Sequence, residues 1–90
     1  MSRIIQIYRS PRKQEMYLYV DKANDLVDVP ADLLARFGEP EPVMTMLLDP
    51  ARKLARASAA EVLDKIAAQG FYLQMPPTMA ELLAGEGNRL

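Results

Sequence analysis

Two stretches decide the fold: Arg3-Ile4-Ile5-Gln6-Ile7-Tyr8-Arg9, and Glu15-Met16-Tyr17-Leu18-Tyr19-Val20-Asp21, with Ser10-Pro11-Arg12-Lys13-Gln14 between them. Both flanking segments alternate at period two, as half-buried strands do, and the proline-containing stretch reads as a turn. Alternation also predicts a register. Placing Ile5 opposite Val20, Ile7 opposite Leu18 and Arg9 opposite Met16 collects these apolar residues on one face. A one-residue slip turns half of them outward. The opposite face then carries Ile4, Gln6, Tyr8, Tyr17 and Tyr19, with Tyr8 opposite Tyr17.

Downstream of the hairpin, Pro30 suits a first helical turn and Asp32 suits the positive end of a helix dipole. The pattern predicts a helix over 29–37 with Leu33, Leu34 and Phe37 as its buried stripe, stopped by Gly38. Pro40 and Pro42 predict an irregular connection. Val43–Asp49 is apolar on both faces, which predicts a central strand covered on both sides. Ser58-Ala59-Ala60-Glu61 is a capping box, and its helix should run to Gln69 and stop at Gly70. Phe71–Met75 reads as a fourth strand, ended by Pro76 and Pro77, which also discourage pairing at an exposed edge. Thr78-Met79-Ala80-Glu81 opens a last short helix through Ala84. Met44, Met46, Met75 and Met79 read as core filler. The element order is thus β-β-α-β-α-β-α. The fold class is α/β (α+β): a four-stranded mixed sheet with helices packed on it, in one domain over 1–84, with 85–90 a frayed tail.

Composition narrows the chemistry. The chain has 90 residues, half of them hydrophobic, and a net charge of −1. It contains no cysteine and no histidine. Disulfides, thiol catalysis, cysteine or histidine metal sites and serine–histidine triads are therefore excluded. No apolar run approaches the ~20 residues that cross a bilayer, and the start does not read as a signal peptide. The expectation is a cytoplasmic protein without a cofactor.

Several segments are specific enough to suggest a relationship. Tyr8-Arg9-Ser10, Tyr17-Leu18-Tyr19-Val20, Val29-Pro30, Phe37-Gly38-Glu39-Pro40, Lys53-Leu54-Ala55 and Gly70-Phe71-Tyr72-Leu73-Gln74-Met75-Pro76-Pro77 follow one another in this chain. In that order and spacing, from about Ile4 to Leu83, they resemble the YcgL domain family of small bacterial proteins. The resemblance implies a compact α/β fold. It implies no established activity, substrate or catalytic residue. The adjacency of family genes to a ribonuclease D gene in some bacteria implies an accessory link to RNA metabolism.

The residues themselves offer three readings. The first is a non-catalytic interaction or adaptor module with a protein partner, which requires an exposed apolar patch with a polar rim. The second is single-stranded RNA binding. Near-neutral net charge hides two basic islands, one at Arg3, Arg9, Arg12 and Lys13 and one at Arg52, Lys53 and Arg56. Phosphates would meet these cations while bases stack on Tyr8, Tyr17 and Tyr19. That reading requires an open tyrosine face continuous with both islands. The third is a small metal-dependent hydrolase built on Asp21, Asp25, Asp28 and Asp32. It requires at least three carboxylates converging on one point. The run fails the EF-hand pattern, and Ser10-Pro11-Arg12-Lys13 matches Ser-x-x-Lys only in spacing.

Overall fold

A computed structural model describes residues 2–54, 57–80 and 83. Strand β1 (Arg3–Arg9) and strand β2 (Tyr17–Asp21) form the expected hairpin. Helix α1 (Ala31–Phe37), strand β3 (Glu41–Leu48), helix α2 (Ala59–Gln69) and strand β4 (Phe71–Gln74) follow. The sheet order is β3-β1-β2-β4. Every pairing is antiparallel, where a mixed sheet was expected. The last helix expected through Ala84, and the tail, fall largely outside the described residues.

The hairpin register is one residue away from the expected one. Ile5 lies opposite Asp21, Ile7 opposite Tyr19 and Tyr8 opposite Leu18. The expectation assumed one dry face, but this sheet is covered on both. Ile5, Ile7 and Tyr19 pack with Leu48 under Val62, Leu63 and Ile66 of α2. Met16, Leu18 and Val20 pack on the other face with Phe37 of α1 and Val29 of the preceding turn. With both faces apolar, a slip carries no burial penalty, and alternation alone cannot choose the register.

The helices end as their sequences dictate. Ser58 caps α2, its hydroxyl accepting from the Glu61 amide at 3.4 Å. Gly70 closes α2 in the left-handed region at φ 93°. Pro30 sits at the N-cap of α1 with no side-chain cap bond. Phe37 alone of the α1 stripe is fully buried, with Leu33 and Leu34 partly covered.

The largest departure is β3. It pairs only with β1, at the sheet edge, and most of its residues are exposed. Its apolar run reflects no double cover. Met44, Met75 and Met79 are likewise exposed rather than core filler. Pro42 lies inside the strand, beside a bulge between the Ile7 and Tyr8 positions of the pairing, and does not break it. A proline is tolerated there because an outward-facing edge position needs no N–H. Two prolines at the start of this segment were the available signal that it is an edge strand.

Candidate functional site: the open edge of the sheet

The expected binding surface does not assemble. Strand alternation and the observed register put Tyr8 on the α1 face and Tyr17 and Tyr19 on the α2 face. Tyr19 is buried, stacks edge-on against Tyr72 at 5.6 Å, and donates its hydroxyl to Gln74 Oε1 at 2.9 Å. Tyr17 packs partly buried against the same cluster. Tyr8 Oη donates to Asp25 Oδ1 at 2.5 Å. Its pKa is pushed up to about 12, first by desolvation and then by the hydrogen bond and negative charge of Asp25. No open face therefore carries two tyrosines among the described residues.

The basic islands separate as well. Arg12 and Lys13 lie at the hairpin tip, beyond Arg9. Arg52 and Lys53 follow Leu48, which pairs with Arg3 at the far end of β1. Six residue steps of strand put about 20 Å between those ends. Arg9 is spoken for by Glu41, Nε to Oε1 at 2.9 Å, and Arg3 by Asp21 at 3.0 Å. Arg56 lies outside the described residues.

Ser10 organises the tip. Its hydroxyl donates to the Phe37 carbonyl and accepts from the Arg12 and Lys13 amides at 3.1 Å. That donated proton ties the hairpin to the end of α1. The carboxylates also disperse. Asp21 holds Arg3 and the Ala23 amide, Asp25 holds Tyr8, Asp28 packs against Gly70, and Asp32 flanks a groove. No cluster that could hold a metal ion occurs among the described residues.

Two features remain. One is a groove of about 440 Å³ between α1 and β4, floored by Met16, Leu33, Leu73 and Met75, with Lys13 and Arg36 at its rim. The other is the open edge. Ile4, Val43 and Leu47 are 54%, 48% and 55% exposed. Ile4 pairs with Leu47, and Gln6 with Thr45, so these side chains share the α1 face in the half that α1 leaves uncovered. Gln6 lies flat there: its amide donates to the Ile7 and Met44 carbonyls and its oxygen accepts from Thr45 Oγ1 at 2.7 Å. The polar rim is Glu41, Arg9 and Arg52.

The backbone of β3 is equally open. Lys22 N–H donates to the Ile4 carbonyl and Ser10 N–H to the Met16 carbonyl, so even-numbered residues of β1 bond toward β2. Its odd-numbered residues then bond toward Met44, Met46 and Leu48. The peptide groups of Thr45 and Leu47 consequently point away from the sheet. Among the described residues, the contact on this edge is Arg52 Nη1 to the Leu47 carbonyl at a marginal 3.5 Å. Arg9 and Arg52 of the rim were among the residues expected to form a site, whereas Ile4, Val43, Thr45 and Leu47 were not.

A family model, the YcgL domain, matches residues 5–77. A YcgL domain-containing protein of Chromohalobacter salexigens is 54% identical over 81 residues, covering 90% of this chain and 84% of that protein. One of Pseudomonas aeruginosa is 54% identical over 83 residues, covering 92% and 86%. One of Pseudomonas fluorescens is 48% identical over the same length and the same shares. These relatives are named for the domain alone. No helix among the described residues is long and apolar enough to cross a membrane.

Proposed function

The chain belongs to the YcgL domain family, and on that footing we propose that it is a non-catalytic interaction module whose recognition surface is the outer edge of β3 with Ile4, Val43 and Leu47. The observation that carries this reading is an eight-residue edge strand whose Thr45 and Leu47 peptide groups face away from the sheet, with half-exposed Val43 and Leu47 on it and Ile4 beside it on β1. Natural sheets usually blunt such edges with lysine, proline or a covering segment, because an open edge is a template for another strand. Here Pro42 and the bulge guard the first residues and leave Thr45 and Leu47 unguarded. Addition of a partner strand would supply hydrogen bonds from the backbone and specificity from alternate side chains. The reading keeps the module in the cytoplasm, as its sequence leads one to expect.

The test is site-specific photocrosslinking in living cells. A photoreactive residue at Leu47 should give a protein adduct, and the same residue at exposed Lys65 on α2 should not. Equal labelling at both positions, or none at Leu47, sinks the reading.

A further inference from the structure

We propose that the strand completing this edge is β3 of a second copy of the same chain, paired antiparallel about a two-fold axis near Thr45. The inference rests on the interaction reading above and names its partner. An interface built on a two-fold axis is self-complementary, since the same patch meets itself. The outward peptide groups of Thr45 and Leu47 set the register. Thr45 faces Thr45 of the other copy, and Val43, the bulged residue without a partner on β1, comes opposite Leu47 at the limit of the pairing. Threonine–threonine and aliphatic–aliphatic pairs directly opposite one another stabilise antiparallel sheets. The half-exposed Ile4, Val43 and Leu47 of each copy would then form one continuous apolar strip across the joint.

Charge supports this partner over a generic strand. Glu39 and Glu41 stand at the start of the edge, Glu41 already shared with Arg9, and Arg52 and Lys53 just past its end. Antiparallel pairing brings the acidic start of each copy beside the basic exit of the other. Arg52 already reaches along the edge to the Leu47 carbonyl, which faces Val43 of the other copy in this register. A pairing hydrogen bond to that carbonyl would free the guanidinium for the neighbouring carboxylates. Asp49, the one acid that would oppose Glu41, is turned back onto the Ala51 amide at 2.9 Å. The second basic island thus has a protein counterpart at hand.

The experiment is sedimentation of the full chain from micromolar to submillimolar concentration. A concentration-dependent dimer is expected. Thr45→Pro, which removes an outward N–H, should return it to a monomer with unchanged circular dichroism. Leu47→Lys should do the same while keeping the Thr45–Gln6 bond, and guards against a Thr45→Pro chain that fails to fold. Arg52→Glu should weaken the dimer by up to about 25-fold, because the two-fold axis makes the exposed ion pair occur twice and each is worth up to about fivefold, and adding Glu39→Arg should restore it. A monomer throughout the range, or a dimer unmoved by a folded Leu47→Lys, overturns the proposal. A monomer whose Leu47 crosslinker still captures a different protein overturns self-pairing and leaves the interaction reading intact. A monomer with no adduct overturns both.

Discussion

Tyr8 is where one side chain converts geometry into a measurable quantity. Its phenol donates to Asp25 at 2.5 Å, and ionisation would set a phenolate beside that carboxylate. Burial and Asp25 therefore hold the proton on, raising the pKa from 10.0 to about 12. A folded value above the unfolded one favours the protonated native state. The resulting stability is present in full below pH 10 and is lost as pH rises from about 10 toward 12. Tyr8→Phe should flatten that part of the stability curve and remove the component of the phenolate absorbance titration near pH 12. An unchanged titration would show that another tyrosine carries the shift. The tyrosines were legible in the sequence, but their partition was not. Alternation says which residues of one strand share a face, whereas the pairing of two strands decides which faces coincide. Here the Tyr19 and Leu18 sides are both dry, so nothing in the pattern chose between them.

Elements bounded by local chemistry were the most legible. Ser58 and Gly70 specify both ends of α2 without help from the rest of the chain, because a cap and a left-handed stop act within one turn. Gly70 also carries a tertiary constraint that no pattern reveals. A Cβ there would stand 2.4 Å from Asp28 Cβ, in a backbone already at φ 93°. Gly70→Ala should cost at least about 2 kcal/mol from backbone strain and overpacking. For a domain of this size that is a fall in melting temperature of roughly 8–16 °C. A loss within the scatter of surface substitutions would mean that the α2–β4 corner yields freely. β3 was misplaced for the opposite reason. A buried central strand and an open sticky edge have the same apolar composition. What separates them is the order of strands, which depends on how far α1 carries the chain across the hairpin.

At the scale of the molecule, strand direction decides which charges can act together. The sequence clusters cations at 9–13 and 52–56, and both clusters were legible. Their separation was not, since it follows from β3 running antiparallel to β1 and leaving the sheet beside Arg3. About 20 Å of strand exceeds the Debye length of about 8 Å at physiological salt, so the islands do not sum into one field. A strand of RNA meeting the tip would find Arg12 and Lys13, and bases with no paired tyrosines to stack on. The protein should therefore show no retention of a mixed single-stranded RNA pool near 0.15 M salt. Any low-salt binding should carry a slope worth about two phosphates, given about 0.7 per contact for single strands. Reversal by Arg12→Glu and by Lys53→Glu should be additive, each island acting alone. A slope worth four or more phosphates, lost cooperatively in the double variant, would mean that the two ends reach one strand together. It would also return the basic residues from the role proposed for Arg52 at the β3 edge to nucleic-acid binding.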